Sequence, residues 1–263
     1  MKKLMFAAVA AAGLGLFADG IESANVVGYT SDTITAKKFN MVCVPFEGTD
    51  GDGFKLNQCL AGVNLIGSDD ASTSDLIQIW DATLGGYENW FYYDVGDEWT
   101  GWWDELTALS LFEDVYPNGL PAGSAFWYKS NAAATQNGTA TLSGQVLDTA
   151  TATFEVLRGK FNMVADAYPV ALKLNDSNQV AWTGATGSDD ASTSDLIQIW
   201  DATLGGYENW FYYDVGDEWT GWWDELTALS LFEDVYPDGL AVGKPFWYKA
   251  YAGSGTFDIT FKK

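Results

Sequence analysis

The sequence contains no histidine, few basic residues and only two cysteines. The absence of histidine excludes Ser-His-Asp and Cys-His catalytic groups, His-ligated zinc and an imidazole pH switch. Only 13 lysine and arginine residues oppose 36 aspartate and glutamate residues, which gives a net charge of −23 at pH 7. This balance excludes nucleic acid and anionic lipid as expected partners, because both bind clustered positive charge.

Long hydrophobic runs are also missing, apart from one near the amino terminus. Two lysines precede an apolar run over 4–17, which has the length of a secretory signal peptide and is too short to span a bilayer. We predict a signal peptide over 1–24, with cleavage after Ala18 or Ala24 and no membrane span once it is removed. The expected location is therefore secreted or at the cell surface.

The two cysteines agree with export. Cys43 and Cys59 are sixteen positions apart in the first half of the chain, and the corresponding part of the second half lacks both. Their joint absence there predicts a disulfide, which contributes roughly 3 kcal/mol when it closes a loop of this size in an oxidising compartment. The alternative is two separately buried thiols.

An internal duplication organises the chain. Residues 67–117 recur without a change at 187–237, an offset of 120 positions. The match continues in weaker form on both sides: 27–29 with 143–145, 39–42 with 161–164, and 126–129 with 246–249. Periodic self-similarity of this kind is typical of repeated structural units. We predict two domains of about 120 residues, 25–141 and 142–263.

The duplicated segment carries the unusual composition. Each 51-residue copy has twelve acidic residues and no lysine or arginine, so the rest of the chain is nearly neutral. Each copy also contributes five of the 13 tryptophans. Acidity and aromaticity are therefore properties of this segment.

Short runs of β-forming residues, separated by Gly, Asp, Asn and Ser, predict a mainly antiparallel β fold. The fold class that we predict is mainly β, with two tandem antiparallel β-sandwich-like repeats and minor short helices. Strands 76–81 and 87–94 flank a glycine-containing loop and are predicted to pair. Short helices are predicted over 54–63 and 104–114. The remaining strands of the first unit are predicted at 26–34, 40–45, 99–103, 125–129 and 139–146.

A series of short aromatic motifs carries a resemblance. In chain order they are Val26-Val27-Gly28-Tyr29, Phe39-Asn40-Met41-Val42, Ile79-Trp80-Asp81, Gly86-Tyr87, Trp102 and Gly123-Ser124-Ala125-Phe126-Trp127-Tyr128. The chain resembles uncharacterised secreted, aromatic-rich tandem-repeat β-domain proteins of planctomycete- and verrucomicrobia-like bacteria. The resemblance implies a β-sandwich module with a surface or extracellular role, and it brings no catalytic residues.

One face of strand 87–94 mixes flat aromatic rings with carboxylates, a combination that suits sugars. We predict that a glycan binds on this face and on nearby tryptophans. The alternative is that these aromatic side chains fill the core of a small β domain. The predicted binding residues are Glu88, Trp90, Tyr92, Trp102 and Trp103, with their copies Glu208, Trp210, Tyr212, Trp222 and Trp223.

An oxygen-rich loop precedes strand 76–81 in each copy, and hard cations such as Ca²⁺ prefer oxygen ligands. No other cofactor is expected. The alternative is a solvated acidic loop. The predicted metal ligands are Asp69, Asp70 and Asp75, with Asp189, Asp190 and Asp195 in the second copy.

These patterns favour a non-catalytic, exported or cell-surface protein with a structural, adhesive or glycan-binding role. Its expected partners are polysaccharide, other surface proteins or further copies of itself. One alternative is a glycoside hydrolase that uses two of Asp97, Glu98, Asp104 and Glu105 as paired carboxylates. Another is a self-assembling surface-layer or filament subunit.

Overall fold

A computed structural model describes residues 27–48, 52–56, 65–131, 133–201 and 205–263. The protein is mainly β, with several antiparallel sheets and minor short helices, which confirms the predicted mainly antiparallel β fold. None of the helices within these ranges has the length and hydropathy that a bilayer crossing needs. The predicted signal peptide lies outside the described residues.

Seven strands form the first half of the chain, each within two residues of its predicted position. They are β1 (Val27–Ile34), β2 (Phe39–Val44), β3 (Leu76–Asp81), β4 (Gly86–Tyr93), β5 (Gly101–Asp104), β6 (Ser124–Lys129) and β7 (Gly138–Gln145). Five of them form a sheet in the order β2-β6-β3-β4-β5, and β1 pairs with β7. The predicted β3–β4 pairing is confirmed, with Trp80 opposite Tyr87.

The second half repeats this pattern with small changes. Its strands are β8 (Thr151–Leu157), β9 (Phe161–Val164), β10 (Val180–Ala181), β11 (Leu196–Asp201), β12 (Gly206–Tyr213), β13 (Gly221–Asp224), β14 (Phe246–Lys249) and β15 (Thr256–Lys262). A five-stranded sheet has the order β13-β12-β11-β14-β9, and a smaller sheet has the order β10-β15-β8. The two five-stranded sheets thus arrange equivalent strands in the same order.

The helix predicted over 104–114 is wrong, because only α1 (Phe112–Val115) is helical there. Ala108 has a φ of 49°, a left-handed conformation that ends any right-handed helix. The second copy has the equivalent helix, α2 (Phe232–Val235). Most of the helix predicted over 54–63 lies outside the described residues, and Phe54 forms a β-bridge to Leu120.

Strand β7 runs across the boundary predicted between residues 141 and 142. Its residues 143–145 pair with 27–29 of β1 and are therefore neighbours of those residues within one sheet. Strand β8, which pairs with β15, takes the place in the second half that β1 has in the first. The connection between the halves therefore lies at 146–150, after β7.

Each half has its own core between the five-stranded sheet and the smaller sheet. In the first half, Ile34 and Leu142 of the small sheet pack with Ile77 and Trp102 of the large one. The outer faces of the two five-stranded sheets meet in a third cluster. Its buried members are Cys43, Ala125 and Trp127 from the first sheet, and Met163, Ala165 and Trp247 from the second.

Candidate functional site

The aromatic face predicted to bind glycan lies in the core. Trp90 is 2% exposed and Trp102 is fully buried, and their copies Trp210 and Trp222 are buried to the same degree. The alternation along the strand is as expected, but this face points toward the smaller sheet. Burial removes these large rings from water, which is the main stabilising term in a core of this kind. The prediction of an exposed platform is therefore wrong.

The other residues of that predicted site are divided between the two faces of the sheet. Tyr92 packs against the core, and Glu88 accepts a hydrogen bond from the Tyr116 hydroxyl. Trp103 lies on the outer face, where its indole N–H donates to the Trp99 carbonyl at 2.8 Å. The copies Glu208, Tyr212 and Trp223 repeat these placements. The five residues thus form no common surface.

The acidic loop before β3 is built by internal hydrogen bonds. Asp70 is exposed and accepts from the Ser72 amide at 2.8 Å, which lowers the pKa of its carboxyl group. Asp75 is buried and accepts from the Ile66 and Asn131 amides at 2.9 and 2.6 Å. It also accepts from the Tyr128 hydroxyl at 2.5 Å.

Asp75 therefore serves as an internal acceptor, whereas Asp69 is exposed. In the second copy Asp190 and Asp195 repeat these roles, and Asp189 is exposed like Asp69. Across the described ranges, no group of three or more Cys, Asp or Glu side chains is placed to hold a metal ion. The structure does not assemble the predicted ligand set around one point.

Two of the carboxylates considered for catalysis are also held by local hydrogen bonds. Asp97 accepts from the Tyr93 hydroxyl at 3.0 Å, and Asp104 accepts from the amide and hydroxyl of Thr107 at 2.7 and 2.8 Å. Both therefore stabilise turns. The adjacent Glu98 is exposed, and Glu105 lies in the turn after β5.

Cys43 is a buried free thiol in the third cluster, and it donates to the Asp166 carbonyl at 3.7 Å. Burial, reinforced by nearby carboxylates, raises the pKa of this thiol well above its ordinary value. Because the Cys43 thiol is free, the structure gives no support to the predicted disulfide, and Cys59 lies outside the described residues.

A cleft of about 820 Å³ lies between the outer faces of the two five-stranded sheets. We call it the large cleft. Five aromatic side chains line it: Phe39, Tyr87, Trp127, Trp200 and Tyr207. Phe39, Tyr87 and Tyr207 are partly exposed, whereas Trp127 is buried. Gln78 adds a hydrogen-bonding amide, whereas the side-chain amide of Asn40 is engaged with the backbone of Thr35 and Lys38.

A small cleft of about 240 Å³ lies at the equivalent position on the other half. It is lined by Trp80, Tyr87, Phe161, Gln198, Tyr207 and Trp247. All six are counterparts of residues in the large cleft through the duplication. The two tyrosines line both clefts, so they stand where the two clefts meet.

The clefts result from a two-fold-like contact between the halves. Trp80 packs edge-on against Trp247 at 5.3 Å, and its copy Trp200 packs edge-on against Trp127 at 6.2 Å. Trp127 and Trp247 are themselves equivalent, so each half gives the same surface to the other. This is the geometry of a self-complementary interface.

Strand alternation explains why these side chains face outward. On β3, Ile77 and Ile79 point into the first core, so Gln78 and Trp80 point to the opposite face. Across the hairpin, Tyr87 stands opposite Trp80, with ring centres 5.0 Å apart. The same hairpin that fills the core thereby builds the wall of the clefts.

The large cleft also contains charge. Burial raises the pKa of Asp32, and the nearby Lys244 ammonium partly offsets this. Burial lowers the pKa of Lys244, against the opposing effect of Asp201, Glu208 and Asp32. The Lys244 ammonium donates to the Trp200 carbonyl at 2.8 Å.

Sequence reasoning expected the exposed aromatic side chains on the face of the hairpin that the structure buries. The useful signal was present, because Gln78, Trp80, Tyr87 and Asn89 alternate with core residues and read as a polar and aromatic outer face. Nothing in the sequence indicated that Asp32 and Lys244 line the same cleft. Asp32 lies in β1 and Lys244 in a loop of the second half, and only the packing of the two halves brings them together.

The fold and the cleft define a mainly β protein with an aromatic-lined cleft between two sheets. Comparison with protein-family models, with curated proteins and with solved structures finds no match to this chain.

Proposed function

We propose that this is a non-catalytic, exported or cell-surface protein that binds glycan in the large cleft. The observation that carries the proposal is the combination of exposed aromatic rings with side-chain hydrogen-bonding groups in one concave site. Its volume of about 820 Å³ is typical of sites for small ligands or for a few sugar units.

The chemistry of the lining supports a sugar ligand. The C–H faces of a pyranose ring are apolar and stack on indole and phenol rings such as those of Trp200 and Tyr87. Sugar hydroxyl groups both donate and accept, which suits the side-chain amide of Gln78. The candidate catalytic carboxylates Asp97 and Asp104 support turns outside this cleft, which favours binding over cleavage.

Replacing both Tyr87 and Tyr207 by alanine is expected to weaken glycan binding by about a hundredfold, or roughly tenfold for each lost ring. Both rings are 41% exposed but also pack edge-on against Trp80 and Trp200, so urea denaturation of the variant is measured beside binding to confirm that it is folded. Binding is measured by affinity electrophoresis in polysaccharide gels and by tryptophan fluorescence titration.

The matched control is the double variant Trp99→Ala and Trp219→Ala. These side chains are more exposed than the two tyrosines and line neither cleft. The control is expected to bind as the unmodified protein does. Equal loss of binding in both double variants, or no retardation of the unmodified protein by any polysaccharide, contradicts the proposed site.

A second candidate function, self-assembly at a surface, is favoured by one exposed loop. Leu106 and Leu109 are 89% and 82% exposed, and their copies Leu226 and Leu229 repeat this in the second half. The loop is ordered by Asp104, which accepts hydrogen bonds from Thr107. Leucines held in solvent by such a loop are suited to contact a neighbouring molecule.

If these loops join copies of the chain, changing all four leucines to serine is expected to convert assemblies into monomers. Sedimentation velocity with and without Ca²⁺ measures the change, because a divalent cation screens the repulsion between acidic segments. An unmodified protein that stays monomeric under both conditions excludes self-assembly.

A further inference from the structure

The two clefts share their aromatic lining but differ in charge. Lys244 lines the large cleft, and the first half has Ser124 at the equivalent position. Asp32 also lines the large cleft, and the alignment of 39–42 with 161–164 places Phe154 at its equivalent. The acid and the amine thus occur together on one side only. The copied segment supplies stacking rings to both clefts, whereas the residues outside it make the clefts different.

Asp32 and Lys244 are close enough to shift each other's pKa, but no direct ion pair joins them in the part of the chain that the structure describes. Lys244 uses one of its three N–H donors on the Trp200 carbonyl. Within the same ranges, the Asp32 Oδ2 atom is buried and has no hydrogen-bond partner, so this carboxylate has unused acceptor capacity. Asp32 and Lys244 both line the cleft, which brings a carboxylate acceptor and spare ammonium donors to one site.

A hydroxyl group meets both needs, because it donates to a carboxylate and accepts from an ammonium group. Adjacent hydroxyls on a pyranose ring can bind the two groups at once. Hydrogen bonds to charged groups are stronger than those between neutral groups, so this pair is suited to select a sugar rather than any flat apolar ligand.

The surrounding charge disfavours acidic sugars. Asp32, Asp201 and Glu208 all act on the Lys244 ammonium, so its positive charge is already balanced by carboxylates. The net charge of the chain is −23, which repels a uronate or a sulfated sugar at longer range. A neutral hexose has neither disadvantage.

We propose that the large cleft binds one neutral hexopyranose unit, with adjacent hydroxyls donating to Asp32 and accepting from Lys244, and that the small cleft does not bind. The protein thus has one glycan site per chain despite its duplication. This inference rests on the proposed function, since it names the sugar class and the number of sites.

Isothermal titration with neutral gluco-, manno- and galacto-hexasaccharides, and with an oligogalacturonate of the same length, tests both proposals separately. At least one neutral probe is expected to bind with one site per chain, and more tightly than the acidic probe. If neither kind of probe binds, the proposed function fails. If the acidic probe binds as tightly or more tightly, or if two sites are found, only the present inference fails.

The variants Asp32→Asn and Lys244→Ser are each expected to weaken binding of the neutral probe by about ten- to a hundredfold. Unchanged affinity in both overturns the role of this pair. Because Lys244 is half-buried, Lys244→Met provides a second variant that keeps the apolar stem and removes the donors. Near-ultraviolet circular dichroism identifies any variant that has lost its fold.

The duplication supplies a matched control for the number of sites. Gln78 lines the large cleft and Gln198 the small one, and each donates to its neighbouring asparagine, Asn89 or Asn209, at 2.9 Å. Gln78→Ala is expected to weaken binding several-fold, and Gln198→Ala to leave it unchanged. Equal effects of the two variants overturn the assignment of binding to the large cleft alone.

Discussion

The variant Asp75→Ala is expected to lower the free energy of unfolding of the first half by about 3 to 5 kcal/mol. Its carboxylate accepts from two backbone amides and from the Tyr128 hydroxyl. Tyr128 is fully buried, so its hydroxyl has no access to water when this acceptor is removed. Burial, reinforced by the Asp75 carboxylate, raises the pKa of Tyr128, which keeps the phenol protonated as a donor.

Urea denaturation followed by tryptophan fluorescence measures this effect. The matched variant Asp195→Ala is expected to cost a similar amount in the second half, because Asp195 accepts from Thr186, Tyr248 and Tyr251 in the same way. Asp69→Ala, at an exposed position, is expected to change stability by less than about 0.5 kcal/mol.

The same series separates a structural acceptor from a calcium ligand. If Asp69 and Asp75 bound one Ca²⁺ ion, both substitutions would remove a stabilisation that depends on Ca²⁺ concentration. We expect instead that Asp75→Ala costs the same with Ca²⁺ and with EDTA. An Asp69→Ala cost that appears only with Ca²⁺ would restore the metal site predicted from the sequence.

The variant Asp166→Asn is expected to stabilise the protein above pH 7 by up to about 4 kcal/mol. Burial raises the pKa of Asp166 from 3.8 to about 7, although its carboxylate accepts a hydrogen bond from the Tyr168 amide. Asparagine keeps that acceptor and removes the buried charge. Two positions beyond the 39–42 match, the first half has the uncharged Val44 at the equivalent place.

The pH dependence follows from the direction of the shift. Between pH 3.8 and about 7 the folded protein keeps a proton on Asp166 that the unfolded chain releases. Stability therefore falls as pH rises through this window, and the full cost is present above pH 7. Asp166→Asn removes this slope, so its advantage over the unmodified protein is expected to grow from pH 4 to pH 7 and then to stay constant.

Asp148→Asn is the charge-matched control, because Asp148 is exposed and its loss changes the net charge by the same amount. Thermal denaturation of the three proteins across this pH range makes the comparison. A stability difference for Asp166→Asn that is independent of pH, or one that Asp148→Asn reproduces, would show that burial of this carboxyl group has no such effect.

The strands could be predicted from the sequence because the patterns that specify them are local. Leu76–Asp81 and the strand that follows it are set by side-chain alternation and by the short loop between them. The helix predicted over 104–114 failed because spacing of Leu106, Leu109 and Phe112 favoured it, whereas the positive φ of Ala108 places both leucines in solvent. Three-residue spacing cannot distinguish a buried stripe from an exposed loop.

The candidate site could not be predicted from the sequence in the same way. Alternation divides β4 into two aromatic faces, and the sequence does not say which of them meets the smaller sheet. The face with Trp90 became the core, and the face with Tyr87 became the cleft. The buried role of Asp75 depends on donors from Ile66 and Asn131, which are far apart in the chain and meet only in the folded sheet.

The identical segments raise the question of how each hairpin joins the correct sheet during folding. Strands β3 and β4 have the same internal register as β11 and β12, so either hairpin can fill either place without any change in its own pairing. Discrimination falls to the strands outside the copied segment, β2 and β6 in one sheet and β9 and β14 in the other. Exchange of hairpins between halves, or between chains, is the characteristic misassembly of such proteins. The non-identical flanking strands therefore determine which of the two sheets each hairpin joins.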